Sequence, residues 1–414
     1  MQIGNYFKNI NLNHKKHFFS GLSFKSSDCK KNNIFFAIKG NNSDGSKYIK
    51  EAIKKGARTI ISNNNFQGIK DQVLFIKSDK PRELLSKLSS KIYSQKPKKL
   101  VAVTGTNGKS SIADFYSQIL RLNKIKVASI GTLGIKTDSF NLKTENTTLD
   151  PISLHQQLQK FKKLNINNVI LEASSHGLKQ NRLDGLKFKS GIFTNLSHDH
   201  LDYHKSYKDY FESKLILFKK LLKKNASIIT DSDIAQYKKI KSIANKKNYR
   251  ICTIGKLDND LKIIDHYYID DKQILKIKRK KKIYKIELNL IGKIQVKNIL
   301  MAMLAAEKNN ISFDKIVRAI SKIKNVSGRL EKIGILKNNS KVILDYAHTP
   351  EALFCSLQNL KEQFKNKKIV VVFGCGGNRD KSKRPKMGKI ANYFCSNIYL
   401  TNDNPRYENP KKIR

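Results

Sequence analysis

The sequence is poor in acid, poor in cysteine and free of long apolar runs. Its 414 residues hold 33 Asp and Glu against 82 Lys and Arg, a formal net charge of +49. No apolar stretch approaches the ~20 residues of a membrane-spanning helix, so no membrane insertion is expected. The opening MQIGNYFKNINLNHKK has no apolar core followed by a small-residue cleavage site and does not read as a signal peptide. The five cysteines (Cys29, Cys252, Cys355, Cys375, Cys395) never fall as C-x-x-C, which leaves free thiols in a reducing cytoplasm as the expectation. Also missing is the first glycine of the common nucleotide-binding loop GxxxxGK[ST]. Five residues before Gly108 stands Val103.

The excess of base invites a nucleic-acid reading. The lysines, however, are spread along the chain, with one dense run, KIKRKKKIYK, at 276–285. No aromatic RNA-binding motif, zinc finger or basic zipper accompanies them. A global compositional bias is expected instead, with no dedicated nucleic-acid partner and a field suited to a polyanionic small substrate.

Three regions separate. Residues 1–96 read as a small α/β domain, with NIFFAIKG, TIIS and VLFIK as strands and KYIKEAIKKGA as a helix ended by Gly56. Residues 97–325 alternate strands such as NVILE and SGIFTNL with helices, the pattern of a largely parallel sheet, and 256–288 alternates more like antiparallel strands. Residues 326–414 hold three strand-like runs, KVILDY, KIVVVFGCGG and SNIYLTNDNP, and stop at Arg414 as NPKKIR begins a helix.

Polar clusters sit directly after apolar strands, where ligands bind in open α/β sheets. Gly105 to Ser110 follow LVAV, Glu172 to His176 follow VIL, and NLSHDHLDYH follows GIF. Asp345 and His348 follow VIL, GCGGNRDKSKR follows IVVVF, and DNPR follows IYL. In the first cluster small residues let backbone N–H groups close on phosphate oxygens, and the helix SSIADFYSQIL points its positive end at them. Lys109 would neutralise the β- and γ-phosphates and Ser110 would offer a hydroxyl to Mg²⁺. Glu172 reads either as a turn residue or as a metal ligand. His200 reads either as a structural histidine or as a partner of Glu172 around Mg²⁺. Lys214 shares a helical face with Tyr207, Phe211 and Phe218, so it must snorkel, pair, or lose its charge. Arg329, Asp345 with His348, and Arg379, Lys383 and Arg384 read either as solvated charges or as a second anion-binding face.

Taken together, TGTNGKSS, LEASSHGL, TNLSHDHLDYH with ESK, GRLE, DYAHTPEAL, FGCGGNRDKSKRPKMG and DNPR occur in the order of the Mur ligases. The chain resembles the branch of that family that adds the third residue of the peptidoglycan stem peptide. The resemblance implies a cytoplasmic, monomeric α/β enzyme of three domains. These would be a uridine-diphosphate-binding N-terminal domain, a central ATPase domain and a Rossmann-like C-terminal domain. The implied reaction makes an acyl phosphate on the terminal carboxylate of UDP-N-acetylmuramoyl-L-alanyl-D-glutamate, which an incoming amine attacks.

Residue roles follow from the same resemblance. Gly105, Thr106, Asn107, Gly108, Lys109, Ser110 and Ser111 would hold ATP, with Asn298, Arg329 and Asp345 near adenine, phosphate and ribose. Ser110, Glu172, His200 and a carbamylated Lys214 would hold Mg²⁺. Ser26, Asn41, Asn42 and Ser43 would take the uridine diphosphate, and Asn146, Thr147, Thr148, Ser174, Gln180 and Arg182 the muramoyl peptide. Arg379, Asp403, Asn404, Pro405 and Arg406 would select meso-diaminopimelate, because a bidentate Arg–carboxylate pair demands its second carboxylate. The sequence departs from the family at FKSSDCKKN, where Asp-Ser-Arg is usual, at Gln295, where Asn is usual, and at Ser111, where Thr is commoner. Family members also continue past DNPR, so the third domain is expected to be incomplete. The competing expectations are a folylpolyglutamate synthetase-like ligase and a basic ATPase that binds nucleic acid.

Overall fold

The structure, a computed structural model, describes the whole chain except residues 8–10, 41–42, 198, 201–202, 257–259 and 270. It divides into two compact units. One comprises residues 1–98, 148–167 and 176–187, and the other residues 99–147, 168–175 and 188–414.

The first unit is built on a five-stranded sheet. Gly21–Ser23, Asn33–Phe36, Thr59–Ser62 and Val73–Lys77 run parallel in that order, and Gly68–Lys70 closes the edge antiparallel. Asn33–Phe36 and Thr59–Ser62 are buried at every position, as central parallel strands covered on both faces must be. Ile34, Phe36, Ile61 and Leu74 point into one apolar cluster with Leu85 and Leu88, while Phe35, Ile60 and Val73 point into another with Ala52 and Ala57. The three strands read from NIFFAIKG, TIIS and VLFIK are present, and the helix read from KYIKEAIKKGA is shorter, Ile49–Lys54.

The second unit holds an eleven-stranded sheet with Lys99–Thr104 near its middle. This strand is flanked by Asn168–Glu172 on one side and Phe188–Phe193 on the other, all parallel. Further parallel strands follow outward, Val127–Gly131 on the first side, and Leu222–Asp231 and Arg250–Gly255 on the second. Both margins turn antiparallel. At one of them Leu261–Ile269, Lys272–Arg279 and Lys282–Leu288 form the ribbon expected over 256–288. The strand order reverses direction at Lys99–Thr104, so its carboxyl end opens on a topological switch point.

Helices Lys109–Leu122, Lys293–Glu307 and Phe313–Ile320 cover that sheet and share one large apolar core with it. The last 89 residues of the region read as 326–414 form smaller pieces. Glu331–Ile335 pairs antiparallel with Lys341–Leu344, and Val370–Phe373 pairs parallel with Asn397–Leu400. Helices Pro350–Gln363 and Lys383–Phe394 pack there around Leu353, Leu357, Cys375 and Met387. All five cysteines are unpaired. Among the described residues no helix is long and apolar enough to cross a membrane.

Candidate active site

The loop between Lys99–Thr104 and Lys109–Leu122 is shaped by two glycines that have no room for a side chain. Gly105 has φ +143°, and a Cβ there would lie 1.8 Å from Thr194 Oγ1. Gly108, the residue before the helix, has φ +88°, and its Cβ would lie 2.4 Å from Asn298 Oδ1. The neighbouring strand end pins the loop from outside. Thr194 Oγ1 donates to the Asn107 carbonyl at 2.6 Å, the Asn107 N–H donates to Asn195 Oδ1 at 2.9 Å, and the Thr106 N–H donates to the Asn195 carbonyl at 3.0 Å. The helix amino terminus is thereby aimed at a cavity of about 320 Å³.

Thr106, Asn107, Gly108, Lys109, Ser110, Ser111, Thr147, Glu172, Ser174, His200, Lys214, Asn298, Arg329 and Asp345 all line that cavity. Residues from four of the six strand-end clusters therefore meet in one place, joined by Lys214 and Asn298 from helices and by Arg329. Glu172 is only 2% exposed. It accepts from Ser110 Oγ at 3.1 Å, from the Thr132 N–H at 2.9 Å and from Thr132 Oγ1 at 3.2 Å. The exposed-turn reading of Glu172 fails on this burial. His200 has φ +56°, and its Nε2 lies 3.4 Å from the Asp199 carboxylate.

Two amines share one acceptor. Lys109 Nζ donates to the Gly105 carbonyl at 3.0 Å and to the Thr106 carbonyl at 2.7 Å, and Lys214 Nζ donates to the same Gly105 carbonyl at 2.7 Å. Lys214 is 1% exposed, with its amine 4.2 Å from the centre of the Tyr210 ring. This corrects the snorkelling alternative, because the chain folds over the amine instead of releasing it to water. Burial holds the Lys214 pKa well below the usual lysine range, the Lys109 ammonium pushes the same way, and Asp199 opposes both. Burial also lowers the Lys109 pKa, against the pull of Glu172 and Asp199.

Arg329 reaches the phosphate loop from the opposite wall. Its Nη2 donates to Ser110 Oγ at 3.2 Å, and its guanidinium stacks 5.0 Å from the Tyr346 ring centre. Gln295 Nε2 donates to the Arg329 carbonyl at 3.1 Å, and Asn298 Nδ2 donates to Gln295 Oε1 at 3.0 Å. Gln295 thus fills the place of the usual asparagine and remains bonded within the wall. Asp345 accepts from the N–H groups of Leu330 and Ala347 and from Ser356 Oγ, at 2.8, 2.9 and 2.9 Å.

His348 lines the cavity too, whereas the described residues nominated for the uridine diphosphate and diaminopimelate, and Asn146, Thr148, Gln180 and Arg182, lie outside its lining. In the first unit Arg182 donates twice to Gln180 Oε1, at 3.0 and 2.7 Å, and once to the Thr148 carbonyl at 2.7 Å. Ser26 Oγ donates to Glu51 at 2.9 Å, and Ser43 is exposed. Asn41 and Asn42 lie outside the described residues. Asn146 is exposed in the second unit. The diaminopimelate group forms its own cluster. Arg406 Nη1 donates to the Gly377 carbonyl at 2.7 Å, the Gly377 N–H donates to the Asn404 carbonyl at 2.9 Å, and Arg379, Asp403 and Asn404 are exposed beside Pro405.

Thr132, Asn195 and Tyr210 support the site without having been read from the sequence. Asn195 carried a usable signal, since it opens the polar cluster NLSHDHLDYH two residues past Phe188–Phe193. Tyr210 stands four residues before Lys214 on its helix, and its hydroxyl lies 3.1 Å from Thr106 Oγ1. Among the described residues no three His, Cys, Asp or Glu side chains gather into a metal cluster. The cavity nonetheless offers a carboxylate already accepting a serine hydroxyl, a donor set of hard oxygens that fits Mg²⁺.

Comparison with known proteins follows the same lines. The Mur ligase middle domain matches residues 103–306, the Mur ligase glutamate ligase domain matches 328–414, and the Mur ligase family catalytic domain matches 19–93. The UDP-N-acetylmuramoyl-L-alanyl-D-glutamate--2,6-diaminopimelate ligase of Rickettsia rickettsii is 38% identical over 405 residues, covering 97% of this chain and 83% of the relative. The protein of the same name from Chelativorans sp. (strain BNC1) is 39% identical over 395 residues, covering 95% and 81%. A solved structure of a ligase so named superposes with a TM-score of 0.77 at 29% identity, covering 100% of this chain and 84% of that one. The folylpolyglutamate synthase of Mycobacterium tuberculosis complexed with ADP superposes with a TM-score of 0.65 at 15% identity, covering 80% of each chain.

Proposed function

The chain belongs to the Mur ligase family, and from that premise we propose how its residues do the work of an ATP-dependent amide-forming ligase of peptidoglycan precursor synthesis. The reaction joins meso-2,6-diaminopimelate to UDP-N-acetylmuramoyl-L-alanyl-D-glutamate. A carboxylate oxygen of the D-glutamyl residue attacks the γ-phosphorus of ATP, an O–P bond forms, and the bond to ADP breaks. The amine of diaminopimelate then adds to the acyl carbon, phosphate leaves, and the amine proton passes to solvent. ATP turns oxide, a poor leaving group, into phosphate, a good one. The protein's contribution is positioning and charge.

The observation that carries this reading is the single cavity in which Lys109, Ser110, Glu172, His200, Lys214 and Arg329 converge. Backbone N–H groups of 105–111 and the helix amino terminus would cradle the phosphates, with Lys109 and Arg329 neutralising charge that grows during transfer. Ser110, Glu172, His200 and a carbamylated Lys214 would hold Mg²⁺, which supplies charge stabilisation to the phosphoryl oxygens. Asn298 and Asp345 would face the adenosine. Ser26 and Ser43 would take the uridine diphosphate. Thr148, Gln180 and Arg182, with Asn146, Thr147 and Ser174, would contact the muramoyl peptide. Arg406 and Arg379, in the loops around Asp403 to Pro405, would select the distal carboxylate of diaminopimelate. We place the enzyme in the cytoplasm as a monomer.

A folylpolyglutamate synthetase-like activity would use the same phosphate loop. The matched segment at 19–93 and the relatives covering 97% of the chain favour the muramoyl substrate. Phosphate release by the whole chain with ATP and Mg²⁺ tests the choice. Release should require UDP-muramoyl-dipeptide and respond to diaminopimelate far more than to lysine. Release that depends on nucleic acid and ignores the muramoyl substrate would overturn it.

A further inference from the structure

His204 is not among the residues that line the cavity, yet it touches three of the elements that build it. Its side chain is fully enclosed. Nε2 lies 3.0 Å from Ser175 Oγ, three residues beyond Glu172. On the other edge of the ring, Nδ1 lies 3.5 Å from Ser213 Oγ, the residue before Lys214, and 3.6 Å from the Asp209 carboxylate on the same helix. Its backbone N–H donates to the His200 carbonyl at 2.9 Å. The imidazole also packs 5.1 Å from the centre of the Tyr210 ring, the ring on whose face the Lys214 amine rests.

The His204 side chain thus joins the segment following Glu172 to the helix carrying Lys214, and its backbone holds the loop carrying His200. Helix Tyr207–Ile216 runs straight on into a wider π-turn at Leu217–Leu221, so its rotation is not fixed by a continuous regular ladder. The Ser213 and Tyr210 contacts of His204 act on the stretch where a small rotation would carry the Lys214 amine away from the Gly105 carbonyl.

We infer that His204 is a positioning residue for carbamate formation on Lys214, holding the amine between the Tyr210 ring and the Gly105 carbonyl while it captures CO₂. The inference rests on the proposed carbamylation. In that step the lone pair of the uncharged amine forms an N–C bond to dissolved CO₂. One C=O π pair moves onto oxygen, and a proton leaves the nitrogen for water. His204 exchanges no atom in this step and acts through Ser213, Tyr210 and Ser175.

The test is ¹³C NMR of the whole chain equilibrated with [¹³C]bicarbonate, in the wild type, Lys214→Ala, His204→Ala and His204→Gln. The wild type should show a carbamate carbon that Lys214→Ala lacks. In His204→Ala the bicarbonate needed for half occupancy should rise about tenfold, the scale of coupling between contacting residues. His204→Gln, whose amide can still reach Ser175, should fall between, and it carries the test if His204→Ala does not fold. Affinity for a fluorescent ATP analogue should stay within about twofold in both His204 variants, which a merely structural role would not allow. No carbamate in the wild type would defeat the carbamylation reading itself. A wild-type signal with unchanged bicarbonate dependence in both variants would defeat only the role of His204, as would parallel loss of ATP affinity.

Discussion

The Lys109 and Lys214 amines converge on the carbonyl oxygen of Gly105, at 3.0 and 2.7 Å. Two ammonium groups on one oxygen repel, and burial penalises both charges. Lys109 retains the Thr106 carbonyl and the attraction of Glu172 and Asp199, whereas Lys214 is held further below its ordinary range. The asymmetry favours charge on Lys109, the proposed phosphate ligand, and an uncharged amine on Lys214, as the proposed carbamylation requires. Lys214→Ala should therefore lower turnover on the order of 100-fold, the scale for losing one charge-stabilising group. Added formate or acetate should restore part of it. Steady-state rates with and without the small carboxylate check this, and normal activity in the variant would leave the buried lysine a packing role only.

Gly108→Ala tests the loop. The substitution meets Asn298 Oδ1 at 2.4 Å and a backbone at φ +88°, a conformation costing about 1–3 kcal/mol for a side-chain-bearing residue. ATP affinity, measured by titration calorimetry well below the melting temperature, should weaken about tenfold or more, and the melting temperature should fall by a few degrees. Unchanged affinity would mean that this turn does not hold the phosphates.

Arg406→Ala tests the choice of amino acid. A charge-assisted hydrogen bond to a carboxylate is worth about 1.5–3 kcal/mol. Preference for diaminopimelate over lysine, taken as the ratio of their kcat/KM values, should fall about 10- to 100-fold. Equal preference before and after would place the selecting group elsewhere than the Gly377–Arg406 cluster.

His155 gives the first unit an acid-sensitive core. Burial, with Lys96 adding repulsion and the Asp184 backbone pulling the other way, pushes its pKa down to about 3 from 6.5. The folded pKa lies below the unfolded one, so the contribution is complete above pH 6.5. It is lost as pH falls toward 3, where the unfolded chain binds a proton that folded His155 refuses. His155→Leu should flatten the pH dependence of the unfolding midpoint across that window. Parallel curves for variant and wild type would show that His155 titrates normally.

Much of the site was legible because each piece is local. A strand followed by small residues and Lys109, a carboxylate ending a buried strand at Glu172, and an arginine after a tight turn at Arg329 all announce themselves within ten residues. Their meeting depends on the strand order around Lys99–Thr104, which no local pattern specifies. The periodicity around Lys214 was right to join it to buried Phe218, whereas Tyr207, read on the same face, is exposed. Whether that face would let the amine escape depended on Tyr210 and on a π-turn after the helix, both set by packing. Thr132 escaped notice because no local pattern aims its backbone N–H and its hydroxyl at Glu172, 40 residues away in the chain. The Arg406 group was recognised as a cluster, but its separation from the cavity lining came only from the structure.

The most direct measurement follows oxygen. UDP-muramoyl-dipeptide carrying ¹⁸O in the D-glutamyl γ-carboxylate should, with ATP, Mg²⁺ and diaminopimelate, deliver one labelled oxygen into each phosphate released by the whole chain. Phosphate formed without ¹⁸O would contradict an acyl phosphate at this cavity.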